Sequence, residues 1–220
     1  MNVDRKELLR YIGGGEPDEA MNARIDEAIA AATAAAQPRS CFRRFSYDGK
    51  TLGGVYDPES RDVAELLRGC KEAFLFAATL GGGIERETEK AFARGSLGAL
   101  LTDAAASCLI ESYCDEECER IAKEENVTLT LRFSCGYGDY PLTHQREVCR
   151  LLDAQRRIGL YVGEDSLLMP RKSVTAIMGV IAQGYSPTDR RGHTADKCAK
   201  CAALSCPYRR SPASYPEENK

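Results

Sequence analysis

Two clusters in this chain have residue types and spacings that can do chemistry. The first is Arg132-Phe133-Ser134-Cys135-Gly136-Tyr137-Gly138. A guanidinium is a rigid fork that matches a carboxylate. The two glycines permit positive φ and close approach of a ligand to backbone amides. Tyr137 between them adds a flat ring and a hydroxyl. Together these groups suit a ligand that carries both a carboxylate and a heterocycle. The second cluster is Cys198-x2-Cys201-x4-Cys206, with His193 five residues before its first cysteine. Thiolates at such spacing converge on a tetrahedral ion, which points to zinc or an iron-sulfur cluster. Three cysteines leave one ligand to be supplied by His193, by another cysteine such as Cys135 or Cys149, or by a partner. The competing reading is a tail with reduced thiols.

Other arrangements are missing. With His144 and His193 as the sole histidines and no Gly-x-Ser-x-Gly, neither a serine hydrolase nor a zinc hydrolase has support. Gly81-Gly82-Gly83 follows a strand pattern but lacks a succeeding Gly-Lys-Ser/Thr, so it reads as a strand-to-helix turn rather than a phosphate cradle. Cys135 invites a redox or metal-binding role beside the glycine loop, against the plainer one of a small buried residue.

The elements that must position these residues are legible from periodicity. Val127, Leu129, Leu131 and Phe133 alternate with Thr128, Thr130 and Arg132, the period of a half-buried strand, which would project Arg132 from the polar face, either to bind a ligand or to form a surface ion pair at the strand end. Glu72–Thr79 is a continuous apolar run, as in a strand covered on both faces. Cys41–Tyr47 and Ser173–Ala182 also read as strands. Helices are expected after Asp4, from Pro17 to Gln37, after Asp57, to about Phe92, from Ser96 to about Glu124 with Leu97, Leu100, Leu101, Ala104, Cys108 and Ile110 inside, and from Leu142 to Arg157. Ser166–Pro170 reads as a loop. The fold class is α+β, a twisted antiparallel sheet with long helices packed against it. Residues 1–183 form the domain, and 184–220, rich in Gly, Ser, Pro and charge, form a flexible cysteine-containing tail.

Composition limits the partners. A formal net charge of -3 and no basic stripe give no case for nucleic acid. No charged start precedes an apolar run and no apolar stretch nears membrane-spanning length, so we expect a cytoplasmic protein without a membrane association. In that setting the ten cysteines are read as reduced thiols or metal ligands.

Arg132-x-x-x-Gly136-Tyr137, the following Asp139-Tyr140-Pro141-Leu142, and Pro170-Arg171-Lys172-Ser173-Val174-Thr175-Ala176-Ile177 resemble the activation domain of cobalamin-dependent methionine synthase, most closely its free-standing form. The resemblance covers about residues 1–183, with its specific part in 132–180. It implies that Arg132 holds the carboxylate of S-adenosylmethionine, that Ser134, Cys135, Gly136 and Tyr137 lie against the adenosyl group, and that Tyr137 approaches the corrinoid. The family usually has proline where Cys135 stands. Glu111 aligns with an acidic ligand-site residue and would face the ammonium or the sulfonium; Glu164, Asp165 and Tyr185 align less firmly.

The function so implied is reactivation of a cobalamin-dependent methyltransferase, methionine synthase foremost, by a separate subunit. S-adenosylmethionine and an electron return stalled cob(II)alamin to methylcobalamin, with cobalamin carried by the partner and the electron brought by a donor protein. This chain would contribute to the methyltransferase activity without being an independent catalyst. The alternative is a docking or assembly protein for a corrinoid methyltransferase, stapled by zinc or a cluster at its tail, without S-adenosylmethionine chemistry of its own.

Overall fold

The computed structural model describes residues 1–181. Tyr185 and the whole tail motif, His193, Cys198, Cys201 and Cys206, lie outside the described residues.

The apolar run Glu72–Thr79 forms β2, and every residue from Ala73 onward is buried, as a strand with both faces covered requires. It pairs antiparallel with β1 (Arg39–Ser46) on one side and with β6 (Ser173–Ile181) on the other. A short β3 (Thr128–Leu129) completes the sheet, whose order is β1-β2-β6-β3. A hairpin of β4 (Tyr161–Val162) and β5 (Leu168–Met169) stands apart, where the sequence suggested a loop over Ser166–Pro170.

The two faces of this sheet carry different layers. On one lie the helices α1 (Arg5–Tyr11), α2 (Glu19–Ala35), α4 (Gly83–Arg94) and α5 (Ser96–Glu124), packed around Phe74, Phe76, Ala176 and Met178. On the other, α3 (Arg61–Leu66), α6 (Gln145–Leu152) and α7 (Ala154–Ile158) cover Leu75, Ala77 and Ile177. Alternation along β2 and β6 therefore feeds two apolar cores, which is why both strands read as continuous apolar runs. The helix starts follow local capping: Asp4 accepts from the amides of Lys6 and Glu7, Asp18 from that of Met21 and Ser60 from that of Val63. Gly83 has a packing reason as well as a turn reason, since a Cβ there would stand 2.2 Å from the carbonyl oxygen of Ala35. The expected helix over 142–157 is divided, because Asp153 takes the left-handed conformation between α6 and α7. Leu100, expected inside, lies 49% exposed on α5.

The strand expected over 127–133 is the main departure. Leu129 pairs with Val180 and Phe133 with Ile177, so four steps along one chain match three along the other. The extra residue is a bulge. Within it the Thr130 amide donates to the Gly179 carbonyl, and the Gly179 amide donates to the Thr130 hydroxyl in place of a backbone oxygen. A one-residue insertion reverses which side chains face which way. Val127 and Leu129 pack toward the long helices, Leu131 is exposed, and Phe133 joins the core on the opposite face.

Candidate functional site

The bulge corrects the expected orientation of Arg132. Its side chain folds back onto α5 and is only 11% exposed, rather than projecting outward. Nη2 donates to Glu111 Oε2 at 3.0 Å and Nη1 to Asp115 Oδ1 at 2.6 Å, and Nη1 also lies 3.7 Å from Cys118 Sγ. Burial alone would weaken the charge, but Cys114, Cys118, Asp115 and Glu111 around it more than offset that, and its pKa is raised further. Glu111, one helical turn before Asp115, is thus an ion-paired carboxylate rather than a freely solvated one.

The chain then makes a tight loop. Gly136 and Gly138 both have positive φ, and the Gly136 amide donates to the Tyr140 carbonyl at 2.8 Å. A Cβ on Gly138 would meet Asp62 Oδ2 at 1.9 Å, so the loop lies directly on the start of α3. There Asp139 adds to the local cap from Ser60: its carboxylate accepts from the Ser60 hydroxyl and the amides of Arg61 and Asp62, and its own amide donates to Asp62 Oδ2. The Ser60 hydroxyl and the Asp62 and Arg61 contacts hold the Asp139 carboxyl down to about 2. On the other side Tyr140 is buried, stacked on Phe133 and hydrogen-bonded to Tyr56, whose hydroxyl also meets His144 Nδ1 at 3.1 Å. Anchored at both ends, the loop holds Tyr137 at its crest, 60% exposed.

Beside this loop, β6 has an open edge. Phe133 bonds to Ile177 through both backbone groups, and Thr130 to Gly179, so alternation puts the backbone groups of Thr175 and Ser173 on the same side, beyond the last pairing. A cavity of about 300 Å³ occupies that edge. Tyr11, Ser107, Ile110 and Glu111 line it from the long-helix side; Ser134, Cys135, Tyr137 and Gln145 line it from the loop and α6. The start of β6 with Arg171 and Lys172 runs between them, and Leu168 closes one margin. Lys172 is tied to Asp103 and the Ser107 hydroxyl, both at 2.9 Å, and the Arg171 amide donates to Glu85 at 2.5 Å.

Of the residues singled out in the sequence, Glu111, Ser134, Cys135 and Tyr137 meet around this cavity. Arg132 stands behind Glu111, and Gly136 shapes the turn; neither is part of the lining. The Cys135 thiol is buried, and burial pushes its pKa up in spite of hydrogen bonds with Tyr140 and Thr175, so its environment is that of a packed thiol rather than a reactive one. Cys114 and Cys118 are likewise raised by burial. Among the described residues no group of three His, Cys, Asp or Glu side chains could hold a metal ion. Also among them, no helix is long and apolar enough to cross a membrane.

Sequence reasoning missed several lining or positioning residues, Tyr11, Ser107 and Lys172 among them. Asp139 was in view as part of a motif, but its capping partner lies 77 residues away. Gln145 could have been flagged as a polar residue on the same helical face as Val148, Cys149 and Leu152, which are buried. Arg171 had no signal beyond its place in the Pro-x-x-Ser-Val segment.

No family model matches the sequence, and no curated protein does. Among solved structures, the chain is similar to the crystal structure of the MetH reactivation domain bound to AdoHcy, with a TM-score of 0.60 and 13% identity over 84% of this chain and 76% of that one. At that identity the likeness establishes a shared fold: the mixed antiparallel sheet with long helices.

Proposed function

We propose that this chain binds S-adenosylmethionine in the cavity at the open edge of β6 and serves, as a separate subunit, in the reactivation of a cobalamin-dependent methyltransferase, methionine synthase foremost. The observation that carries the reading is the convergence of Glu111, Ser134, Cys135 and Tyr137 on one cavity, in a fold shared with a reactivation domain that was crystallised with AdoHcy.

The lining fits such a ligand in kind. Glu111 supplies a carboxylate for the ammonium and a counter-charge for the sulfonium. Arg171 and Lys172, at the entry to β6, bring positive charge to the same cavity for the amino-acid carboxylate. Tyr137 and the polar groups of the loop serve the adenosine. Arg132 acts one step back, by fixing the carboxylate of Glu111 through a charge-assisted bond. No side chain has to move a proton in this reading. The bound ligand supplies the methyl group, and the chain's part is to orient it and to shield it from water. The corrinoid comes with a partner protein and the electron with a donor. Exposed Tyr137, Leu142 and Leu167 leave apolar surface on this part of the chain for such a partner.

Isothermal titration with S-adenosylmethionine tests the reading. Saturable binding to the wild type, weakened at least about tenfold in Glu111→Gln, is the expected result. Absence of binding both alone and in the presence of a corrinoid methyltransferase would reject it. Given binding, a cob(II)alamin reactivation assay with that methyltransferase tests the remainder.

A further inference from the structure

Gln145 is the first residue of α6, and it is 6% exposed. Its Oε1 is buried without a hydrogen-bond partner among the described residues, and its side chain belongs to the cavity wall. A buried carboxamide oxygen left unpaired is costly, and an apolar side chain would serve packing better here, as Val148 and Cys149 do on the same helix. The arrangement makes chemical sense if a ligand completes it.

The cavity's lining shows which part of a ligand Gln145 would meet. Its ionic groups are Glu111 on α5 and Arg171 and Lys172 at the entry to β6. The wall made by the loop and α6, Ser134, Cys135, Tyr137 and Gln145, carries no charge and presents an aromatic ring. Zwitterionic groups belong against the first set, and a neutral heterocycle against the second. Adenine carries a donor, its 6-amino group, beside an acceptor ring nitrogen. A glutamine carboxamide carries an acceptor beside a donor at matching spacing, which is the pairing glutamine makes with adenine in nucleic-acid recognition.

We infer that Gln145 is a specificity-determining residue whose carboxamide pairs with the 6-amino edge of the ligand's purine, so that the cavity selects adenine over purines lacking that amino group. This rests on the reading of the cavity as an adenosyl site. It adds a side-chain contact that selects the base to the loop contacts that the family resemblance implies.

The test is a cycle between ligand and protein. Wild-type chain is titrated calorimetrically with S-adenosylhomocysteine and with the analogue whose purine bears hydrogen in place of the 6-amino group; the titrations are repeated with Gln145→Leu. The wild type should bind the analogue about tenfold more weakly, and the variant should bind both ligands alike. Gln145→Met, closer in shape, replaces the leucine variant if circular dichroism finds that one unfolded. No preference in the wild type overturns the inference without reference to any variant, and so does a preference that survives in the substituted protein. In both cases binding of S-adenosylhomocysteine itself leaves the adenosyl reading standing. Failure of the wild type to bind S-adenosylhomocysteine, both alone and with a corrinoid methyltransferase present, overturns both.

Discussion

Replacing Arg132 with methionine separates a residue that acts through Glu111 from one that touches ligand. The substitution keeps most of the aliphatic stem and removes a guanidinium that is 11% exposed, leaving Glu111 and Asp115 without their cation. Those carboxylates are 47% and 70% exposed, so both regain water once the fork is gone. The stability loss should therefore fall between the value for an exposed pair, roughly 0.2–1 kcal/mol, and that for a broken buried pair, roughly 3–5 kcal/mol. We expect about 2 kcal/mol, readable as a lower urea midpoint with an unchanged slope. For ligand binding, Arg132→Met should weaken S-adenosylhomocysteine about tenfold by releasing Glu111 from its fixed position. Combined with Glu111→Gln it should do little further harm, because the arginine then has nothing in the cavity to position. Asp115→Asn, which touches the guanidinium but is not part of the lining, should leave affinity within about twofold. If Arg132 itself gripped the ligand carboxylate, the losses from Arg132→Met and Glu111→Gln would multiply in the double variant. A multiplied loss in calorimetry would refute the positioning role.

The trans cap at α3 makes an acid-range prediction. Asp139 is held at about 2, below its ordinary 3.8, so its contribution to stability is complete above about pH 4 and is lost as pH falls through 2. Asp139→Asn should flatten part of that acid limb in urea titrations against pH, with Asp48, also at about 2, accounting for a remainder; an unaltered limb would contradict the cap. Gly179→Ala should cost about 1–3 kcal/mol by overpacking, since its Cβ would lie 2.6 Å from Cys70 Sγ and 2.8 Å from Leu67 Cδ2, and an unchanged urea midpoint would argue against that contact. Burial pushes the thiols of Cys41 to about 11 and of Cys108 and Cys149 to about 12. At pH 8 mass spectrometry should find these three alkylated slowly in the native protein and rapidly in urea, whereas prompt native labelling would show the packing to be loose.

How far the sequence carried depended on whether the deciding interaction was local. The helix starts after Asp4 and near Pro17 were marked because capping is satisfied within a few residues. The apolar run of β2 announced burial on both faces directly. Leu100 misled because helical spacing places it near the buried stripe, while the packing of α4 on α5 determines how wide that stripe is. Alternation over 127–133 misled for a stronger reason: the bulge is a property of the pairing with β6, and no residue within the segment records the register of its partner. Tyr137, Ser134, Cys135 and Glu111 were all picked out beforehand, through their motif and alignment. For Arg132 an ion pair was one of the two readings; that it would be buried and held by two acids of α5 was not foreseen.

By itself, then, the sequence determined where most of the helices begin, the central strands and the loop that must turn at Gly136 and Gly138, because propensity, local capping and positive φ are settled between near neighbours in the chain. Only the tertiary structure decided what those pieces present to a ligand. It turned Arg132 inward through one extra residue in a strand pairing, fastened the Tyr137 loop to a helix start 77 residues away, and put Gln145 against the same cavity as Glu111. Each of these depends on how two segments register against one another, and side-chain periodicity along either segment alone carries no information about that.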